Sequence, residues 1–286
     1  MRVLITGGAG QLAQAFRRRL VLRGDEVLAP SRAELDVTDF SALSQVVSSF
    51  RPALVINCAA YNLVDRAEEE FERAFAVNAV AVAALAHLVR EKGFFLVHFS
   101  TDYVFDGEKK APYTEEDRPS PVNKYGLSKR LGELALEGLF SDKALLFRVS
   151  WVYGRGKQNF LAKLLTWAKG KESLHVSCDE FSVPTYCETI VTFTLKAYER
   201  GLSGLYHLVN RGFCSRFEWA RAFFSLLGGG PKVFPVRAES FNLPAKRPFF
   251  SALSPARLER ELGEEIPPWE EDLKRFVKEF KEDGLS

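Results

Sequence analysis

The chain has 286 residues, enough for about two domains. Hydrophobic residues at 47% and charged residues at 27% exclude a disordered or fibrous protein. With 39 basic and 37 acidic residues, a formal +2, there is no basic excess of the kind that grips nucleic acid. In chain order, residues 2–5 read as a buried strand running into the glycine turn Thr6-Gly7-Gly8-Ala9-Gly10. Residues 11–23 follow with helical spacing, Leu12, Ala15, Phe16 and Leu20 sharing a face. Strands are expected at 26–29, 53–57, 94–100 and 144–150, and helices at 40–50, 71–91 and 124–138.

Alternation of strand and helix with short connections predicts an α/β fold, a doubly wound parallel sheet of Rossmann type. Residues 1–150 are the expected nucleotide-binding domain. After Trp151 the pattern loosens, and residues 151–286 are expected to form mainly a smaller C-terminal substrate-binding domain, some later elements being free to return to the first sheet. Helices are expected at 159–169, 190–200 and 217–227, and short strands at 174–177 and 206–209. Residues 228–231 read as a turn, and the proline-rich stretch 235–255 reads as a winding segment. Trp269, Leu273, Phe276, Val277 and Phe280 line one face of a final amphipathic helix.

Cys58, Cys178, Cys187 and Cys214 match no metal or redox spacing and read as free thiols in a reducing compartment. Gly7 interrupts the first apolar run, so no signal peptide is expected. No apolar run approaching ~18 residues stands out, so no membrane span is expected. These features point to a cytoplasmic protein. His98 and His207 read as core or edge residues, and no histidine pair has metal-ligand spacing.

The turn Gly7-x-x-Gly10-x-x-Ala13 lies between a strand and a helix. A helix N-terminus offers free N–H groups and positive potential, and glycine lets the backbone approach a pyrophosphate. Gly7, Gly10, Gln11, Leu12 and Ala13 are therefore candidate cofactor residues. The second strand ends at Ala29-Pro30-Ser31-Arg32, with no acidic residue to hold a ribose 2′-hydroxyl. Arg32 matches a 2′-phosphate in charge and geometry, which favours NADPH, NADH being the alternative. Asp36 and Val37 are placed to flank the adenine.

Thr101 stands at the carboxyl end of a strand, in Ser100-Thr101-Asp102-Tyr103-Val104-Phe105-Asp106-Gly107. Tyr125 and Lys129, in Tyr125-Gly126-Leu127-Ser128-Lys129, are one turn apart on one helix face. Reducing a carbonyl by hydride needs a proton donor at the oxygen. A free tyrosine has a pKa of about 10, and an ammonium one turn away is expected to lower it. A threonine hydroxyl supplies a further hydrogen bond to the developing oxyanion. Either element alone is also an ordinary helix surface or strand end; the combination makes Thr101, Tyr125 and Lys129 the candidate catalytic set.

At these residues the chain resembles the extended short-chain dehydrogenase/reductase family, and within it a group of nucleotide-sugar reductases. The likeness is carried by the glycine turn with Gln11-Leu12, by Ser100 to Gly107, by Tyr125-Gly126-x-Ser128-Lys129, and by Arg148-Val149-Ser150-Trp151-Val152-Tyr153-Gly154. Asn159-Phe160, Pro184-Thr185 and Arg247-Pro248 extend it over nearly the whole chain. The resemblance implies hydride transfer to C4 of a dTDP-linked 4-keto-deoxysugar. It implies Tyr125 as general acid, Lys129 as its tuner and ribose ligand, and Thr101 on the substrate oxygen. Asp102 would lie on the sugar and Trp151 would pack against it. Ala59, Ala60 and Tyr61 would line the nicotinamide side, and Asn78 would have a structural or water-holding role. Arg247, a Pro-flanked loop arginine, is open to two readings, a diphosphate ligand or a structural ion pair.

The chain departs from the family pattern at Ala13, where glycine is more usual. It departs again at Asp179-Glu180-Phe181-Ser182-Val183-Pro184-Thr185, where Ser182 stands in place of glycine. Ala15 lies where some members place glutamates for a Mg²⁺ dimer contact, so no metal requirement is expected. The alternatives are another nucleotide-sugar reductase, an epimerase or dehydratase of the same fold, or a non-catalytic NADP-binding regulatory subunit. Partners are expected to be the nucleotide-sugar alone, with no nucleic acid and no membrane, in a monomer or homodimer.

Overall fold

A computed structural model describes residues 1–282. The first unit contains β1 (Arg2–Thr6), α1 (Gln11–Leu22), β2 (Glu26–Leu28), α2 (Phe40–Phe50), β3 (Leu54–Asn57), α3 (Phe71–Phe75), α4 (Ala81–Lys92), β4 (Phe95–Thr101), α5 (Lys124–Leu136) and β5 (Ala144–Val149). There follow β6 (Val152–Tyr153), α6 (Phe160–Ala168), β7 (Ser173–Ser177), β8 (Phe181–Ser182), β9 (Thr185–Tyr186), α7 (Cys187–Glu199), β10 (Gly204–His207), β11 (Cys214–Ser215), α8 (Arg216–Leu227), β12 (Lys232–Val236), α9 (Ala256–Leu262) and α10 (Trp269–Glu282).

Six parallel strands form the central sheet in the order β10-β5-β4-β3-β1-β2. Strands β3 and β5 are buried at every position because helices cover both faces. One face packs Phe16 and Leu20 of α1 with Ile190 and Val191 of α7; the other packs Leu43, Val82, Leu85 and Leu136. The chain thus leaves the sheet after β5 and comes back through α7 to add β10 at the edge.

The second unit gathers α6, α8 and α10 around Tyr153, Trp219 and Phe276. Strand β12 pairs with β7 in a two-stranded parallel sheet. Sequence reading missed β12, since its Pro235 argues against a strand; as one member of a two-stranded sheet it tolerates the missing N–H. The two-residue strands β6, β8, β9 and β11 are too short to show a period.

Helices α3 and α4, expected as one helix, are joined by a π turn over Ala76–Val80. The combined segment Phe71–Lys92 has the length and composition of a membrane span, which the sequence reading did not anticipate. Here its apolar face is core: Ala81, Val82, Leu85, Ala86, Leu88 and Val89 are buried against the sheet.

Candidate active site

The site lies at the carboxyl ends of the strands, where β1 has β2 on one side and β3 on the other. Gly7 has φ +67°, and a Cβ on Gly8 would stand 2.1 Å from the Ala29 carbonyl oxygen. Only glycine allows this turn to lie against the end of β2. Gly10 caps α1 in extended conformation without a side-chain bond, and Gln14 N–H is bonded to Gly10 O. As in the first turn of any helix, the N–H groups of Gln11, Leu12 and Ala13 lack the i−4 carbonyl partners of later turns and lie at its positive end. This cradle fits a pyrophosphate.

A cavity of about 710 Å³ extends from the turn past Gly7, Gly10, Arg32, Asp36, Val37, Ala59, Ala60 and Tyr61. All eight are residues that the sequence singled out. Arg32 is largely exposed and uses only its Nε, 3.3 Å from Asp36 Oδ2. Its two terminal nitrogens have no bond among the described residues, so they are free for a phosphate. Sequence reasoning missed Arg66, Arg73, Lys157 and Lys163 on the same walls. They come from separate segments, and no spacing in the sequence announces their meeting.

A second cavity of about 270 Å³ shares Gly10, Cys58, Ala60, Asn62 and Gln158 with the first. Thr101, Asp102, Tyr125, Lys129 and Trp151 line it, together with Gln11, Leu12 and Ala13. The candidate catalytic trio, the helix N-terminus and Trp151 therefore face one continuous cleft. The Gln11 side chain turns away to bind the second unit. Its Nε2 donates to Val152 O at 3.0 Å, and its Oε1 accepts from Asn159 Nδ2 at 3.0 Å. These two bonds tie the glycine turn to that unit.

Strand β4 delivers Thr101, whose Oγ1 accepts the N–H of Tyr103 at 3.2 Å and so caps the short turn after it. Asn123 caps α5 by accepting from Gly126 N–H at 2.7 Å. A Cβ on Gly126 would stand 2.1 Å from Tyr103 O, so this glycine lets α5 sit directly on the turn. The rings of Tyr103 and Tyr125 are then 6.0 Å apart, edge to face.

Lys129 is buried, and its Nζ donates to Phe99 O at 2.5 Å. Burial brings the ammonium down to about 8, against the opposing pull of Glu133 and Cys58. Burial also pushes the Tyr125 phenol up to about 12, the Thr101 hydroxyl counteracting and the Asp102 charge adding to the rise. Helical spacing alone predicts the opposite, a Tyr125 lowered by Lys129. The reason for the difference is that the ammonium is drawn to the Phe99 carbonyl, and desolvation governs the phenol. His98, in β4, is wholly buried beside Lys129; desolvation and that charge keep it well below the usual imidazole range.

Asp102 lies in a hydroxyl cluster. Its Oδ1 is hydrogen-bonded to Thr101 Oγ1 at 3.1 Å, and Oδ2 accepts from Ser182 Oγ at 2.9 Å and Ser251 Oγ at 2.5 Å. Ser150 Oγ is 2.5 Å from Ser182 Oγ. Burial raises the carboxyl, and these hydroxyls oppose the rise. Trp151 has φ +38°, with the Arg216 guanidinium 3.8 Å over its ring and Trp219 stacked at 5.7 Å. Arg247 takes both Asp65 carboxylate oxygens, at 2.9 and 2.7 Å, with Glu180 at 3.9 Å. It is an ion-paired strut, and it is not among the residues lining the two cavities. Asn78, on the π turn, accepts from Tyr61 N–H and donates to Tyr61 O and Ser128 Oγ, each at 2.9 Å. It joins the wall of the large cavity to the catalytic helix.

The family model described as RmlD substrate binding domain matches residues 1–282. A dTDP-4-dehydrorhamnose reductase of Burkholderia thailandensis is 36% identical, over 94% of this chain and 95% of its own. A dTDP-4-keto-6-deoxy-D-glucose reductase of Streptomyces niveus is 34% identical over 88% of each. The solved structure of the Bacillus anthracis dTDP-4-dehydrorhamnose reductase, in complex with NADP, superposes with a TM-score of 0.93 at 36% identity. It covers 97% of this chain and 99% of its own.

Proposed function

The chain belongs to the RmlD substrate binding domain family, and from that premise we propose that it uses NADPH to reduce dTDP-4-dehydro-L-rhamnose at C4, giving dTDP-L-rhamnose. The observation that carries the reading is the single cleft in which a phosphate cradle meets Thr101, Tyr125, Lys129 and Trp151. The N–H groups of Gln11 to Ala13 hold the cofactor pyrophosphate, and Arg32 holds the 2′-phosphate. When bound, NADPH supplies the hydride. Lys129 holds the nicotinamide ribose, and Ala59, Ala60 and Tyr61 border the nicotinamide.

Tyr125 gives its proton to the C4 oxygen as charge develops there. Its raised pKa keeps the phenol protonated until that moment. Thr101 places its hydroxyl on the same oxygen. Trp151, held by Arg216 and Trp219, offers an apolar face to the C–H surface of a deoxysugar. The enzyme works in the cytoplasm, as a monomer or homodimer, without a required metal.

The test is NADPH oxidation by purified protein with dTDP-4-dehydro-L-rhamnose, the product identified and NADH run in parallel. Rapid oxidation giving dTDP-L-rhamnose supports the reading, and a preference for NADPH that Arg32→Ala removes supports the role of Arg32. A second reading has one observation in its favour, the Streptomyces niveus relative named for another dTDP-linked 4-keto-sugar. Turnover of dTDP-4-keto-6-deoxy-D-glucose in preference to the rhamnose precursor would establish it instead.

A further inference from the structure

We propose that Arg216, the first residue of α8, binds the diphosphate of the nucleotide-sugar, a role for which Arg247 is the candidate in the sequence. The inference rests on the nucleotide-sugar reading above and names the residue that holds the charged part of that substrate. Strand β11 pairs antiparallel with β8, Ser215 opposite Phe181 and Cys214 opposite Ser182. Ser182 Oγ in turn donates to Asp102, beside Thr101. Ser215 accepts from Glu218 N–H and caps α8, so Arg216 leaves this corner next to the candidate catalytic residues. Its guanidinium lies 3.8 Å over the ring of Trp151, a wall of the smaller cavity, and 4.9 Å from the centre of the Phe160 ring. Its charge also reaches Tyr103, whose ring packs on Tyr125: burial raises the Tyr103 phenol, and Arg216 opposes the rise.

Two arginines act on Tyr103 in this way, and they differ in what they hold. Arg247 is taken by Asp65 and Glu180. The Arg216 guanidinium has no ion pair and no hydrogen bond among the described residues. The carboxylates around it are committed elsewhere. Glu218 accepts the N–H and hydroxyl of Ser215, and Asp102 accepts the hydroxyls of Thr101, Ser182 and Ser251. Arg216 is half-buried, and a cation drawn out of water without a counter-ion is unfavourable. A diphosphate supplies the missing charge. Stacking on Trp151 uses a face of the guanidinium and leaves its N–H edge, a planar fork that matches phosphate oxygens. The smaller cavity, about 270 Å³, lies below the ~300–1,000 Å³ of pockets that enclose a drug-sized ligand. It takes the sugar and leaves the diphosphate at the rim, where Arg216 covers Trp151. The cofactor's own pyrophosphate goes to the glycine turn, so the diphosphate at Arg216 is the substrate's.

Calorimetric titration of the full chain, loaded with NADPH, with dTDP as the probe tests it. Arg216→Gln should bind dTDP about 10- to 100-fold more weakly, the loss of a charge-assisted pair, while NADPH binds as in wild type. In turnover the loss appears in KM. Added salt should weaken dTDP binding less steeply in Arg216→Gln than in wild type, because one cation fewer meets the diphosphate. An Arg216 that only props Trp151 would lower the affinity and leave the salt slope unchanged. That result overturns the proposal, as does wild-type affinity in Arg216→Gln. Should Arg216→Gln not fold, Arg216→Lys keeps the charge and loses the fork. It should keep the wild-type salt slope with an affinity about tenfold weaker, and an undiminished affinity is the contrary result. A wild-type chain that binds NADPH and no dTDP would count against the nucleotide-sugar reading itself, and this proposal would fall with it.

Discussion

At the scale of single residues, the proposed chemistry turns on two side chains that burial has moved in opposite directions. Tyr125 is held neutral, as a proton donor should be. Tyr125→Phe keeps the ring and the packing, so NADPH should bind as in wild type while kcat drops about 10²- to 10⁴-fold; fluorescence titration and steady-state rates read the two separately. Lys129, at about 8, is charged below that pH and neutral above it. On the proposed role of its charged form as ribose ligand, NADPH affinity should be flat below pH 8 and weaken by up to tenfold per unit above it, and binding near that pH should take up protons. Calorimetry in buffers of different ionisation enthalpy measures the uptake, and an affinity independent of pH through this range would remove Lys129 from the cofactor site. That Thr101, Tyr125 and Lys129 meet in one cavity was legible in the sequence, because strand end and helical spacing are both local patterns. The hydroxyl cluster around Asp102 was not, since Ser150, Ser182 and Ser251 reach it from distant segments.

At the scale of elements, α5 carries both the candidate catalytic face and a buried ion pair that anchors it. Glu133 binds Arg148 of β5 through two hydrogen bonds, at 2.9 and 2.8 Å, both side chains almost wholly buried. Burial raises the Glu133 carboxyl, but the Arg148 bonds and charge outweigh it and leave it below the usual range. The pair's contribution is therefore present above the unfolded-state pKa of a glutamate and is lost as pH falls through the lower folded-state value. Glu133→Gln leaves Arg148 with a buried uncompensated charge and should cost about 3–5 kcal/mol in denaturant unfolding. The main helices and strands were readable because buried parallel strands are short continuous apolar runs and helices carry their own caps. The π turn at Ala76–Val80 was not, because its extra residue leaves the apolar pattern nearly intact while re-aiming Asn78.

At the scale of the whole molecule, the cleft exists because two units meet across it. The glycine turn supplies one wall, and Trp151, Val152, Lys157 and Gln158 supply the other. Hydrophobic period gives the wound sheet, but not which later segments return to it. The return of β10 to pair with β5 in register Gly204 to His207 against Leu145 to Arg148 has a consequence for biosynthesis. During translation β5 emerges more than fifty residues before its neighbour, with one row of N–H and C=O groups unpaired. A fragment ending at residue 150 would keep the glycine turn and the candidate catalytic trio yet expose that edge and the α1 face that α7 covers. It should aggregate when expressed alone, as light scattering would show. A monodisperse, protease-resistant fragment would mean that the excursion through residues 151–203 is an insertion the sheet can spare. The nascent chain is thus most vulnerable to mispairing after its chemistry has been encoded and before its last sheet strand has left the ribosome.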